Sequence, residues 1–185
     1  WVAGNGAAWS NGLHQLALDT LWFIDPDAGL NGSLYNQLAA EPWQYNAEFT
    51  EMTVKLRQGV LWSDGVEFTC DDVKYTVETQ MAEPGFVWSA AFSTSVESVD
   101  CVDPYTVHFK LKAANARFHS QFSVRWNAAW IMPKHVFEKE ADLKAFKNNP
   151  PVSLGPYTLK SFDPNGAWYI WERRPDWDKT AMAEW

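Results

Sequence analysis

The residues best suited to metal or nucleophilic chemistry are few in this chain, and their spacing does not favour it. Four histidines, at positions 14, 108, 119 and 135, include no pair four residues apart and lie near no cysteine pair, so a zinc site is not predicted. There is no G-x-S-x-G, P-loop or H-E-x-x-H pattern. Carboxylates are plentiful, but their separation in space cannot be derived from the sequence. We therefore predict no catalytic residue, metal or cofactor.

The aromatic residues indicate a different chemistry, which is non-covalent capture. Trp occurs 12 times in 185 residues. An indole can fill a hydrophobic core, or it can stack on a sugar ring or an apolar side chain while Asp, Asn and backbone groups satisfy hydroxyls or amides. We expect most of the Trp residues to pack in the core and at least two to line a cleft. The chain is predicted to bind a solute and not to be an enzyme.

Composition is typical of a globular domain and limits the partners. Hydrophobic residues make up 46% and charged residues 21% of the chain, which is ordinary for a folded protein. No apolar run approaches the roughly 20 residues of a membrane-spanning helix. The formal net charge of −8 disfavours nucleic acid, because binding to phosphates requires a basic surface.

The elements that would position these residues are clearest between residues 52 and 82. Alternating apolar residues from Met52 to Leu56 predict a half-buried strand. Ser63-Asp64-Gly65 predicts a tight turn. Thr69, with Asp72 three residues later, predicts the capped start of a helix, and its apolar stripe is Val73, Val77 and Met81. The helix is expected to stop at Glu83-Pro84-Gly85.

The rest of the chain predicts short elements of α/β class with α+β texture. Turn signals predict hairpins between residues 23 and 34, between residues 95 and 111, and around Pro164-Asn165-Gly166. Helical spacing predicts helices over residues 13–22, 113–124 and 142–146, and a further helix from Pro133. Residues 1–12 are predicted to be a loop. Cys70 and Cys101 are consistent with free thiols or with one disulfide.

Residues 56–78, LRQGVLWSDGVEFTCDDVKYTVE, resemble the signature of the family 5 extracellular solute-binding proteins, LR-x-GV-x-W-SDG-x-x-FT-x-DV. Members of that family are the peptide-, nickel- and oligosaccharide-binding components of bacterial ABC importers. Cys70 departs from the signature, where Ala is usual. Further ordered motifs extend the resemblance over roughly residues 13–185, including Pro133-Lys134-His135 and Arg173-Arg174-Pro175-Asp176-Trp177.

The resemblance implies the first lobe of a two-lobed fold like that of periplasmic binding proteins, with mixed or antiparallel sheets and short helices. Residues 1–45 would be a cleft-side segment, and residues 46–175 a strand-helix-hairpin subdomain. Family members are longer than this chain, so the second lobe and the C-terminal return to the first are expected to be absent. The chain alone is then expected to bind its solute weakly and to self-associate through uncovered surface.

The resemblance also implies site residues. Asp19, Thr20 and Leu21 occupy the place of the E-G-L or E-P-L motif that family members bring to the rim of the cleft, and Trp22 follows. Trp88 lies in a region that would cover the cleft. If the solute is an oligosaccharide, we expect Trp88, Trp126 or Trp130 to be partly exposed on one concave face, with Asp19 to Trp22 at its rim. Because the elements that carry Cys70 and Cys101 pack together in the family, a disulfide is expected between them, with two independent thiols as the alternative.

The function implied is capture of a solute outside the cytoplasmic membrane, in the periplasm or at the cell surface with or without a lipid anchor, and its delivery to an ABC permease. The number of Trp residues and the W-SDG…P-K-H…R-R-x-x-W pattern favour an oligosaccharide solute, with an oligopeptide as the alternative. A glycan-degrading enzyme or a carbohydrate-binding module is the alternative from another class.

Overall fold

The computed structural model describes residues 19–24, 34–123, 128–163, 165–166 and 168–183, and side chains are described for all of these except 24 and 34–36. Within them, antiparallel sheets combine with short helices, as expected. In chain order the elements are β1 (Trp22–Ile24), β2 (Leu34–Asn36), β3 (Gln44–Tyr45), β4 (Glu51–Lys55), α1 (Cys70–Ala82), α2 (Ser89–Ser95), β5 (Val96–Asp103), β6 (Thr106–Leu111), α3 (Lys134–Phe137), β7 (Tyr157–Asp163) and β8 (Trp168–Arg173), with 3-10 helices at Phe118–Phe122 and Trp177–Lys179.

The largest sheet of the described residues has four antiparallel strands in the order β3-β4-β6-β5. The predicted strand is β4, whose inward residues Met52 and Val54 lie opposite Phe109 and Val107 of β6. All four of these side chains are buried. The predicted β5–β6 hairpin is also confirmed. This sheet, with α1 against it, holds most of the hydrophobic core.

The helix α1 begins and ends where the sequence predicts. Thr69 is its N-cap and Glu83 its C-cap. The Asp72 carboxylate accepts a hydrogen bond from the Thr69 backbone N–H at 3.0 Å, so Asp fulfils here the role that Glu has in the usual capping box. Val73 and Val77 are fully buried, and the predicted apolar stripe therefore faces the core.

A disulfide joins α1 to the edge strand β5. Cys70 is the first residue of α1 and Cys101 lies in β5, and their Cα atoms are 5.8 Å apart. The bond expected from the family resemblance is confirmed, and two independent thiols are excluded. Because the bond closes a loop with a sequence separation of 31 residues, it restricts the conformations of the unfolded chain.

Removing the disulfide is expected to lower the free energy of unfolding by about 2–4 kcal/mol, because the unfolded chain regains conformational freedom. The change is C70A together with C101A, and urea unfolding followed by Trp fluorescence measures it. Reduction of the unaltered chain is the matched control and should produce a similar loss. Equal stability of the oxidised and reduced chains would contradict the prediction.

Two further hairpins lie outside the four-stranded sheet. β1 pairs with β2 and β7 with β8, both antiparallel, as the turn signals predict; the connection at residues 25–33 lies outside the described part. The β7–β8 hairpin leaves much apolar surface uncovered, since about half of the surface of Phe162, Trp168 and Ile170 is exposed (48%, 46% and 49%).

The helix predicted over residues 13–22 is wrong in its described part. Trp22 begins strand β1, and the three residues before it are not helical. The carbonyls of Thr20 and Leu21 instead accept hydrogen bonds from the backbone N–H groups of Leu38 and Gln37. Pairing with a distant segment therefore outweighs the helical spacing of the apolar residues. Residues 13–18, and the loop predicted over residues 1–12, lie outside the described part.

Two other predicted helices are corrected. Of the described residues 113–123, only Phe118–Phe122 is helical, and it is a 3-10 helix. Both of its Phe rings pack against Phe109 of the central sheet. Residues 142–146 form a turn. The Asp142 carboxylate accepts hydrogen bonds from the backbone N–H groups of Lys144 and Ala145, which favours a turn over a continued helix.

Candidate functional site

The segment around the start of β1 carries a buried polar network. Only 1% of Asp19 is exposed, and its Oδ1 accepts a hydrogen bond from Gln37 Nε2 at 2.8 Å. Gln37 Oε1 accepts hydrogen bonds from the backbone N–H and the hydroxyl of Thr20, both at 3.0 Å. The pairing of β1 with β2 places Gln37, directly after β2, beside Asp19. Two polar side chains are thus held together within apolar surroundings.

The Asp19 carboxyl is only half satisfied. Its Oδ2 has no hydrogen-bond partner among the described residues. Burial raises the pKa of Asp19 to about 7, and the positive charge of Arg174 opposes this with a smaller effect. At neutral pH both protonation states of Asp19 are therefore populated, whereas an exposed Asp would be ionised.

Backbone contacts bring the segment around Trp130 to this network. The Ile131 N–H donates to the Asp19 carbonyl at 3.4 Å. The next N–H, of Met132, donates to Thr76 Oγ1 of α1 at 2.8 Å. The predicted site residue Trp130 therefore directly precedes a residue bonded to Asp19, and its side chain is partly exposed.

Helix α1 also positions Trp88. Gln80 lies one helical turn after Thr76, which contacts the Trp130 segment. Its Oε1 accepts a hydrogen bond from the Trp88 backbone N–H at 3.1 Å. The Trp88 indole is half-buried and packs against Phe92, with ring centroids 5.9 Å apart. α1 thus links the positions of both described candidate indoles. Trp126 lies outside the described residues.

The four other predicted site residues were expected at the rim of a cleft, and the structure places them in the interior. Asp19, Thr20, Leu21 and Trp22 are all buried. The Trp22 indole donates to a backbone carbonyl at 3.2 Å and meets Trp43 edge to face, with centroids 5.2 Å apart. Contact of these four residues with a solute stays a prediction.

The signature around Trp62 forms a junction of three segments. Trp62 Nε1 donates to Asp72 Oδ2 at 3.4 Å, and Asp72 Oδ1 accepts the Lys134 backbone N–H at 2.9 Å. Asp64 Oδ2 lies 2.8 Å from His135 Nε2. The motif residues therefore connect the turn before α1 and the start of α1 to the start of α3. Helix α3 begins at Lys134, one residue after the predicted Pro133.

Arg174 fastens this junction to the C-terminal part of the chain. Only 2% of the residue is exposed, and its guanidinium forms a fork with the Asp176 carboxylate at 2.7 and 3.0 Å. It also donates to four backbone carbonyls, those of Leu61, Trp62, Ser153 and Gly155. Every N–H group of Arg174 therefore has an acceptor.

Sequence reasoning missed Gln37 and the role of Arg174. No local pattern marks Gln37, because its partner Asp19 is distant in the chain. Arg174 belongs to the R-R-P-D-W motif that carried part of the resemblance, and Asp176 two residues later was a signal for an ion pair. Of the two adjacent arginines, Arg174 is buried and Arg173 is exposed. The spacing of residues could not predict this difference.

A second polar group lies within the aromatic cluster of Trp43, Tyr45 and His119. The His119 ring stacks on Trp43, with centroids 3.6 Å apart and planes 7° apart. Its Nδ1 lies 3.2 Å from the Tyr45 hydroxyl. Burial lowers the pKa of His119 to about 4, so the ring is neutral at pH 7 and Nδ1 can accept the Tyr45 proton.

Acidification is expected to destabilise the fold through His119. The unfolded residue, with a pKa near 6.5, binds a proton before the folded residue does, so stability falls from about pH 6.5 and the loss is complete below about pH 4. The residue is partly exposed, and solvent screening reduces the effect to on the order of 1 kcal/mol. H119N retains an acceptor near Tyr45 without titrating, so its urea-unfolding free energy should depend less on pH. An unchanged pH dependence would contradict this.

Within the part of the chain that the structure describes, no group of three or more His, Cys, Asp or Glu residues is placed to hold a metal ion. The helices of that part also include none that is long and apolar enough to cross a membrane. The absence of a bound metal or cofactor stays a prediction of the sequence.

Comparison with known proteins defines the class. Residues 33–183 match the family model of the bacterial extracellular solute-binding proteins, family 5 Middle. The chain belongs to this family. Relatives include the oligopeptide-binding protein AppA of Bacillus subtilis, 29% identical over 113 residues that make up 59% of this chain and 20% of AppA. The peptidoglycan-binding protein YepA of Agrobacterium fabrum is 31% identical over 149 residues, 80% of this chain and 23% of YepA.

Solved structures agree on the fold. A mannohexaose-bound periplasmic oligopeptide-binding protein of Thermotoga maritima matches 92% of this chain and 30% of its own, with a TM-score of 0.78 and 24% identity. NikZ of Campylobacter jejuni, in complex with Ni(L-His), matches 98% of this chain and 35% of its own, with a TM-score of 0.77 and 24% identity. The chain thus spans about a fifth of these relatives and about a third of these structures, and it has the fold of part of one lobe of a periplasmic binding protein.

Proposed function

We propose that this chain supplies one side of a solute-binding site in a protein that captures an oligomeric solute outside the cytoplasmic membrane and delivers it to an ABC permease. The family match over residues 33–183 carries the proposal. The Cys70–Cys101 disulfide supports it, because such bonds persist in oxidising, extracytoplasmic compartments. Capture is non-covalent, and closure of two lobes around the solute would present it to the permease.

An oligopeptide is the solute that the relatives favour. AppA is named as an oligopeptide-binding protein, and another relative, YejA of Agrobacterium fabrum, as a probable peptide-binding protein. The structure removes part of the reason for preferring a sugar, because Trp22 and Trp62 are buried in the core and Trp43 is stacked on His119. These indoles serve packing in this structure.

An oligosaccharide is the second candidate, and specific observations support it. Trp88 and Trp130 are partly exposed, and an exposed indole can stack on a sugar ring. The Thermotoga maritima neighbour is described as bound to mannohexaose. Stacking on each indole would add on the order of 1 kcal/mol beyond burial of area.

Ligand-observed saturation-transfer NMR on the 185-residue chain tests the proposal, with tetra-alanine and mannohexaose as probes at millimolar concentration. We expect signal transfer to tetra-alanine, reduced by W88L and unchanged by the control W177L, an exposed indole outside the β7–β8 hairpin. Transfer to mannohexaose alone would favour the sugar, and transfer to neither would overturn the proposal. Release of reducing ends from mannohexaose would instead favour the glycan-degrading alternative.

The affinity of the chain alone is expected to be low. A one-sided site encloses less of the solute than the 70–90% typical of small-molecule pockets, while most of the cost of association remains. Dissociation constants should be on the order of millimolar, and sub-micromolar binding by a monomer would contradict a one-sided site.

The exposed β7–β8 hairpin is proposed to mediate self-association, which analytical ultracentrifugation measures.

A further inference from the structure

The two residues of the Cys70–Cys101 disulfide differ in their access to solvent. Cys70 is fully buried and begins α1, and its backbone N–H donates to the Pro104 carbonyl at 2.7 Å. Cys101 is partly exposed and lies in β5, the last strand in the order of the four-stranded sheet. A thiol that approaches the folded chain therefore reaches Cys101 before Cys70.

The pairing of β5 with β6 is interrupted directly after Cys101. The register shifts between Cys101 and Asp103, and Val102, which lies between them, is 68% exposed. A bulge leaves its extra residue unpaired and disrupts the ladder locally, and a strand at the edge of a sheet has backbone groups without a strand partner. The edge of the sheet at Cys101 is therefore accessible to another molecule.

Carboxylates set the charge beside the Cys101 sulfur. Asp71 Oδ1 lies 3.8 Å from Cys101 Sγ, and the exposed Asp100 directly precedes Cys101. Lys134 and Lys74 offset part of this charge, since they pair with the two carboxylates at 3.3 and 3.4 Å. The attacking species in thiol exchange is a thiolate, so a carboxylate oxygen this close to the sulfur opposes an anionic thiol and favours a cationic one. The net charge of −8 acts in the same direction.

We propose that Cys101 is a thiol-exchange site for a partner that carries a positive charge beside its reactive thiol. The partner's thiolate attacks Cys101 Sγ and forms a mixed disulfide with it, and the Cys70–Cys101 bond breaks with its electron pair on Cys70 Sγ. The Cys70 thiolate then takes a proton from solvent, or it attacks the mixed disulfide at Cys101 and restores the original bond. One disulfide is exchanged for another, so no reductant other than the partner's thiol is required.

The position of Cys70 is consistent with its role as the released thiol. Cys70 is the first residue of α1, a helix of 13 residues, and the positive end of the helix dipole favours a thiolate there. Burial opposes this charge, so the Cys70 thiolate is disposed to attack the mixed disulfide. The reverse sequence of steps forms the native bond, with Cys101 joined to the partner first.

Peptide mapping of the unaltered chain identifies the sulfur that is attacked. The folded protein is mixed with cysteamine, quenched after a series of short times with N-ethylmaleimide in urea, digested and analysed by mass spectrometry. We expect cysteamine on Cys101 and N-ethylmaleimide on Cys70, in roughly tenfold or greater excess over the reverse arrangement, because the buried Cys70 is the less accessible sulfur.

Matched pairs of thiols test the charge of the partner. Cysteamine is compared with 3-mercaptopropionate, and acetyl-Lys-Cys-Lys-amide with acetyl-Glu-Cys-Glu-amide, as rates per thiolate. We expect the cationic member of at least one pair to react roughly tenfold faster at low ionic strength, with a smaller preference at high salt and for the urea-unfolded chain. D71N should reduce the preference. E172Q, which removes an exposed carboxylate that is also paired with a lysine, should keep it.

The outcomes identify the partner or overturn the inference. A preference that includes the peptide pair identifies a polypeptide partner, and a preference confined to the small thiols identifies a small cationic thiol. Attack mainly on Cys70, a rate that does not rise with thiol concentration, or equal rates for cationic and anionic thiols would each overturn the inference and leave solute capture intact. Mapping and rate comparison both use the unaltered chain, so they decide the matter even if D71N does not fold.

Discussion

Replacing Arg174 with Met is expected to lower the free energy of unfolding by about 3–5 kcal/mol, because several buried backbone carbonyls would lose their donor at about 1–3 kcal/mol each. Arg174 is fully buried, and its guanidinium supplies donors to four backbone carbonyls and to Asp176. Met has a similar length but no N–H groups, so the carbonyls would lose these partners. Urea unfolding followed by far-UV circular dichroism measures the change.

The neighbouring Arg173 provides a matched control. It is exposed, and its guanidinium lies over the Trp177 ring at 5.3 Å. R173M should cost less than about 1 kcal/mol, because a cation–π contact at an exposed site contributes little. R174K should fall between the two, since an ammonium cannot reproduce the planar fork. Equal stabilities of R173M and R174M would show that the buried junction does not depend on Arg174.

The unaltered chain is expected to lose about 4 kcal/mol of stability relative to D19N between pH 4 and pH 8. The folded pKa of Asp19 is about 7, raised from 3.8. A raised pKa means that the folded state holds the proton more tightly, so this contribution is present below pH 3.8 and is lost as the pH rises through 7. D19N stays neutral throughout and shows no such loss.

Urea unfolding of both proteins at pH 4, 5.5, 7 and 8 measures this difference. Other titrating groups, including His119, contribute equally to both proteins and cancel in the comparison. The double variant D19N/R174M provides a further check, because Arg174 lowers the pKa of Asp19 and the two changes should not be additive. A difference between the two proteins that is constant with pH would contradict burial of a titrating carboxyl.

Local signals in the sequence predicted the central part of the fold. β4, α1 and the β5–β6 hairpin follow from alternation, capping and turn residues that lie close together in the chain. The disulfide followed from the family resemblance. α2 was not predicted, because Phe92 is its one buried residue and a single apolar position has no period.

The candidate site was less predictable because its contacts are distant in sequence. Asp19 lies 18 residues from Gln37, and its burial depends on the pairing of β1 with β2 and on the segment around Ile131. Periodicity around residues 13–22 instead favoured a helix. Whether a carboxylate lies on a rim or in a core depends on such pairing, which the spacing of residues does not encode.

The contacts of Arg174 with residues far away in sequence have a consequence for the order in which the chain folds. Arg174 binds the Leu61 carbonyl across 113 residues, and the Leu61 N–H donates to the Lys179 carbonyl, farther still along the chain. During synthesis, the turn at Ser63-Asp64-Gly65 leaves the ribosome long before these partners exist. The Leu61 carbonyl, just before this turn, can meet Arg174 and the Leu61 N–H can meet Lys179 only after those residues have been synthesised. The nascent chain therefore cannot complete this junction until its C-terminal part has been made, so the N-terminal half of the junction has to form without the contacts that hold it in the folded protein.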